Sequence, residues 1–347
     1  MEIRNSRERK IYLELLRCIA VLLVIFNHTD GFFLYYTNTD HPVTFVYSLL
    51  LSVLCRVNVP VFFMISGALL LERQESVSEL FRKRVWRIIL VIFLFSFFQY
   101  AIDAVRGRET QVSLFSFLKG VATGTIEETY WFLYAYLGIL LLLPFMRKLV
   151  KQMRREEFVY LLILEILMAV FIPAVGSFVR IQIPSALYFV NVNVFYMIMG
   201  YALEHDIIGN GKNVRTWKPV VGMLLFIVIS AGVCCLRYRI EGSFLESDLD
   251  LFAPLLTLLM FAAVRQFCAE KNMPGKVEHG IEILGSCAFG IYLVEQPVRI
   301  LLLPVYLYLC EHSVGVIACS VYVAGTCAVS GVLAYVLKKL PGMKRLV

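Results

Sequence analysis

Ten times along the chain the sequence runs for about 17 to 25 residues with few charges, the length of a helix that crosses a hydrocarbon core of about 30 Å. Spans are expected at Ile11–His28, Thr44–Leu71, Val85–Val105, Tyr130–Met146 and Phe158–Val175. The second half supplies Ser185–Leu203, Pro219–Leu236, Leu251–Cys268, Leu284–Leu303 and Ser313–Leu337. A soluble domain carries roughly a quarter charged residues to keep its surface wet. Here 17% are charged and 59% hydrophobic. The expected fold is an all-α membrane protein, a polytopic bundle of about ten transmembrane helices forming one domain over residues 1–347, with no separate soluble domain. Arg4, Arg7, Arg9 and Lys10 precede Ile11–Phe26 as in a secretory leader, but no small-residue cleavage site follows. The first run is therefore read as an uncleaved span.

Lysine and arginine set the orientation, because basic loops stay on the cytoplasmic side. With both termini cytoplasmic, the inner segments hold basic groups such as Arg82, Lys83 and Arg84, Arg147 and Lys148, Lys212 and Arg215, and Lys338 and Lys339. The outer segments hold only Arg106, Arg108, Lys119, Arg180, Arg237 and Arg239. This distribution accounts for the net charge of +7 through cytoplasmic loops and anionic membrane lipid, and no nucleic-acid partner is expected. The loop after the third span contains a semi-apolar stretch, Val112–Val121, suited to the membrane interface. The nine cysteines show no metal-ligand or redox spacing and read as small buried apolar residues.

Ionisable side chains at membrane depth cost roughly 2.5–3.5 kcal/mol each, so each requires a reason. Arg17 and His28 lie eleven positions apart, nearly three helical turns, which places them on one face about 16 Å apart along the axis. Glu14 precedes Arg17 by one turn and can pair with it. Singly, Arg17 could snorkel to headgroups and His28 could mark the outer boundary. Together they describe a polar stripe that must face protein or a hydrated cavity. Histidine can take and return a proton near neutral pH, the requirement for activating a hydroxyl. Asp30 is near enough to orient it, although an outer turn residue is the plainer role. Arg84 and Arg87 project together beneath the membrane, either as a positive-inside anchor or as a site for a phosphate-bearing cytoplasmic ligand. Arg56 stands beside Asn58 and Pro60, which interrupt the second span, and is a candidate cavity wall. Glu295 and Arg299 have the i, i+4 order of a helical ion pair, and Glu165 has no evident partner in its own span.

These segments also resemble the integral membrane acyltransferases of family three, which include bacterial O-acetyltransferases of surface sugars. The resemblance runs through nearly the whole chain. It starts with Tyr12-Leu-Glu-Leu-Leu-Arg17 and its arginine, ten residues, histidine spacing to His28. It continues through Arg56 and Val59–Gly67, Arg84-Val-Trp-Arg87, Tyr130–Gly138 and Leu284–Leu293. Many members carry histidine after the last of these segments, where this chain has Val294-Glu295.

The resemblance implies transfer of an acyl group, usually acetyl, from a cytoplasmic acyl-CoA to a hydroxyl of a cell-surface glycan or lipid-linked sugar, in a bacterial cytoplasmic membrane. Acetyl-CoA would be the donor, and no metal is expected. His28 would be general base or transient acyl carrier, with Asp30 orienting it and Arg17 on the route between donor and acceptor. Arg84 and Arg87 would hold the coenzyme phosphates. Glu14, Arg56, Trp131, Tyr134, Tyr292 and Glu295 would border the substrate cavity. The competing expectations are a transporter of a small polar solute and a non-catalytic scaffold, the latter leaving buried Arg17, Arg56 and His28 without a purpose.

Overall fold

The computed structural model describes residues 2–29, 42–107, 112–179, 191–208, 217–242 and 246–347. Every regular element in these residues is helical, and eight of the helices are long and apolar enough to cross a membrane. The protein is a polytopic all-α membrane protein. The opening helix α1 (Glu2–Asn27) carries more charge than those eight but packs at the centre of the bundle. Of the expected sixth span, 185–190 lie outside the described residues, and the rest forms a helix over Val192–Glu204.

The second expected span is two helices, α2 (Pro42–Cys55) and α3 (Asn58–Leu70), parted at Arg56 and Val57. Pro60, in the first turn of α3, has no N–H to continue the ladder back to Arg56. Next comes α4 (Val77–Val105), which starts on a capping box of Ser76 and Glu79 and then widens into a π-helical turn over Phe81–Val85. A short helix α5 (Leu114–Thr123) covers the interfacial stretch foreseen in the sequence, and its Phe117 packs edge-on against Phe93 and Phe97 of α4. Helix α6 (Trp131–Gln152) follows, then a helix over Arg155–Gly176 and α7 (Val192–Glu204). The remainder comprises α8 (Trp217–Glu241), α9 (Ala253–Glu270), α10 (Gly275–His312) and α11 (Gly315–Lys339).

Lipid tails offer helices no hydrophobic reward for pairing, so close contact depends on small residues that let backbones approach. Gly67 of α3 and Gly200 of α7 form a reciprocal pair. A Cβ on Gly67 would collide with the Met197 carbonyl, and one on Gly200 with the Met64 carbonyl. Gly285 of α10 plays the same part against α1, where a Cβ would stand 2.6 Å from Glu14 Oε2. These crossings bring α1, α3 and α10 together around one internal space.

Candidate active site

That space is a cavity of about 630 Å³. His28 borders it from the end of α1, with Thr129 and Trp131 nearby, while Arg84 and Arg87 border it from α4. Glu14 and Arg17 line it as well. The stripe read from α1 is therefore the wetted face of that helix, and Glu14 is hydrogen-bonded to Arg17 as its spacing foretells. Tyr292 and Trp131 are also in the wall.

The His28 end is held by partners far away in sequence. His28 Nδ1 lies 2.6 Å from Glu295 Oε1, and the other oxygen of Glu295 accepts from Arg299 Nε at 2.7 Å. Arg299 also donates to the His28 carbonyl, closing a ring of three residues and satisfying an orphan acceptor at the C-terminus of α1. Glu295 is fully buried. A buried carboxylate is tolerable only when paired and hydrogen-bonded, and both its oxygens are occupied. The carboxylate favours hydrogen on Nδ1, which leaves Nε2 with a lone pair.

Local chain chemistry holds this ring in place. Pro297 deprives the Leu293 carbonyl of its helical donor, and the Tyr130 hydroxyl replaces it at 3.2 Å. Tyr292, one turn before Glu295, donates to the Thr129 carbonyl at 2.6 Å. The Arg299 carbonyl accepts from Tyr322 of α11 at 2.7 Å. Glu295 thus projects from a stretch of α10 tied on two sides.

At the other end, Arg84 Nε points to both oxygens of Glu75, at 3.2 and 3.1 Å. Glu75 also receives Arg147 Nη2 at 2.7 Å, and Arg147 Nε donates to the Leu70 carbonyl at the end of α3. Burial pushes the Glu75 carboxyl upward, but the Arg147 and Arg84 guanidinium groups outweigh it and hold it below its ordinary range. Arg87 lies over the Phe289 ring at 5.5 Å and donates to the Leu346 carbonyl at 3.3 Å. The π-helical turn carries Arg84, so the spacing of the two arginines is not that of a plain α-helix.

Three expected cavity residues lie elsewhere. Arg56 is paired with Asp250 at 3.6 Å, because the break between α2 and α3 faces the short helix Glu246–Asp250. The Tyr134 hydroxyl is committed to the Val121 carbonyl, in the last turn of α5, at 2.6 Å. Glu295 stands behind His28 rather than in the wall. Asp30 lies outside the described residues, and His28 Nδ1, the position an orienting acid would take, belongs to Glu295.

Glu75 and Arg147 are the site residues that sequence reasoning passed over, since a lysine- and arginine-rich loop looks like an ordinary inner anchor. Glu295 was singled out and its pair with Arg299 is present, but its second bond, to His28, was not foreseen. The missing histidine of the familiar motif was a usable signal, because it marks a position where an ionisable group is normally present. Among the described residues, no three His, Cys, Asp or Glu side chains gather as a metal-ligand set.

The acyltransferase family 3 model, described as an acyltransferase domain, matches residues 10–335, nearly the whole chain. The chain belongs to that family and is an acyltransferase. No curated protein and no solved structure matches it.

Proposed function

We propose that the protein transfers an acetyl group from cytoplasmic acetyl-CoA through the bundle to a hydroxyl of a cell-surface or lipid-linked glycan. The observation that carries this reading is the single cavity bordered by His28 and by the Arg84–Arg87 pair. Both termini and the Arg84 end are cytoplasmic in this scheme, in keeping with the basic loops. Arg84 and Arg87 bind the coenzyme phosphates, and the acyl arm runs past Arg17 toward His28.

His28 Nε2 accepts the proton of the acceptor hydroxyl while its oxygen attacks the thioester carbonyl. The C–O bond forms, the C–S bond breaks, and the departing thiolate takes the proton back from Nε2. Glu295 holds the productive tautomer and stabilises the transient imidazolium, and Arg299 holds Glu295 in place. Trp131, half exposed at the His28 end, offers an apolar platform for a sugar ring. The membrane is the cytoplasmic membrane of a bacterium.

The test uses the full chain in lipid nanodiscs with labelled acetyl-CoA, alongside mass spectrometry of surface glycan from cells carrying each variant. His28→Ala should bind the donor and transfer its acetyl group far more slowly, and most of the glycan should lose the mass of an acetyl group. Unchanged glycan acetylation with His28→Ala would refute the chemistry.

A further inference from the structure

The cationic wall of the cavity is larger than the two arginines of α4. Arg73, Lys338 and Lys344 line it too, and the only acidic side chain among the lining residues, Glu14, is bonded to Arg17. The three additional cations have no place in the scheme above. Lys338 and Lys344 also lie beyond the residues matched by the family model.

Their positions order them along the cavity. Arg87 is furthest along α4, and Arg84 lies one turn nearer its start. Lys338 sits in the last turn of α11, where it donates to the Ser286 carbonyl. Arg73 follows the end of α3, and Lys344 lies in the closing turn Met343–Arg345. Arg73 and Lys344 thus form the rim on the side away from His28. Val347 is buried against Gly290, and Arg87 holds the Leu346 carbonyl, so the segment bearing Lys344 is seated on the cavity.

A coenzyme A thioester presents its anions in the same order. Beyond the acyl arm comes the pyrophosphate, and at the far end the ribose carries a separate 3′-phosphate. A phosphate monoester bears about −1.5 to −2 charges and requires cations of its own. Two guanidinium groups, one already shared with Glu75, do not serve both sites. An ammonium on a flexible stem is a competent phosphate ligand as a point charge.

We infer that Arg73 and Lys344 at the rim, with Lys338 deeper in the wall behind them, form a second anion subsite, which takes the 3′-phosphate of the donor and makes the enzyme discriminate against 3′-dephospho-coenzyme A thioesters. This inference rests on the donor reading above. It assigns the pyrophosphate to Arg84 and Arg87 and the terminal phosphate to residues from two other parts of the chain.

The experiment measures the Kd of acetyl-CoA and of 3′-dephospho-acetyl-CoA by calorimetry, on the full chain in phosphatidylcholine nanodiscs. Wild type should prefer the 3′-phosphorylated donor by about tenfold or more, which corresponds to about 1.4 kcal/mol. The double variant Lys338→Gln/Lys344→Gln should bring that ratio close to one. Should it fold poorly, Arg73→Gln, an exposed substitution, reads the same ratio and should lower it. A wild-type ratio near one, or a ratio the substitutions leave intact, overturns the subsite while sparing the donor reading. Failure to bind either thioester overturns both. Repeating the series with phosphatidylglycerol in the disc separates the two sources of phosphate. An undiminished preference assigns the cations to the nucleotide, and its disappearance in wild type assigns them to lipid and overturns the inference.

Discussion

The two ends of the cavity are built on opposite plans. At the His28 end, three side chains close a ring of hydrogen bonds around a carboxylate with no exposed surface. At the Arg84 end the cations stand partly or fully exposed, and their partners are a loop carboxylate, an aromatic face and a backbone carbonyl. A dry, satisfied network has one low-energy geometry, and its charges act at short range in a weakly screening medium. Wet cations keep their rotamer freedom and can follow a charged ligand, but salt screens them. The contrast fits a division between a preorganised reaction centre and an adaptable recognition site.

The sharpest way to break this comparison is at the dry end. His28→Ala should reduce acetyl transfer by about 10²–10⁴-fold or more, with donor Kd little changed, read by single-turnover transfer and by binding. Glu295→Gln should lower kcat by about 10²–10³-fold with little effect on donor KM, because an amide neither enforces the tautomer nor stabilises the imidazolium. Glu295→Ala should also destabilise the fold by about 3–5 kcal/mol, since it strands Arg299 without its partner, and denaturant unfolding in detergent would show it. Equal loss of binding and turnover in Glu295→Gln would erase the distinction between the two ends.

Effects at the wet end should be smaller and should fall on affinity. Arg84→Ala or Arg87→Ala should raise donor KM about tenfold, and wild-type binding should weaken with added salt while the chemical step after binding does not. The smallest effect concerns Glu75. Its folded-state carboxyl is lowered by Arg147 and Arg84, so its contribution to stability is complete above the ordinary carboxylate range of about 4.3 and is lost as pH falls through the lowered value. The thermal midpoint of wild type should therefore decline at acid pH by more than that of Glu75→Gln. Parallel curves would remove Glu75 from the site's support.

Much of the architecture was legible because membrane spans are local features. The apolar runs, the short helix over Leu114–Thr123 and the break near Arg56 follow from composition and proline chemistry within a few turns. The Glu14–Arg17–His28 stripe was legible for the same reason, since helical periodicity fixes which side chains share a face. Arg56 and Tyr134 were misplaced because a polar residue in a span announces that it needs a partner without saying where. Asp250 and the Val121 carbonyl were available and nearer than the cavity. Glu295 shows the same limit. Its i, i+4 pair with Arg299 could be foreseen, whereas its bond to His28 spans 267 positions.

The sequence by itself determined that this chain threads a bilayer as helices, which of its residues are too polar for lipid, and that its motifs resemble those of membrane acyltransferases. Only the tertiary structure decided that His28, Arg84 and Arg87 share a cavity, and that a glutamate on α10 stands behind the histidine of α1. Hydrogen bonds within a helix and the cost of burying charge act over a few residues and can be read along the chain. Which polar faces meet depends on how Gly67, Gly200 and Gly285 let helices approach, and that is settled only when the whole bundle packs.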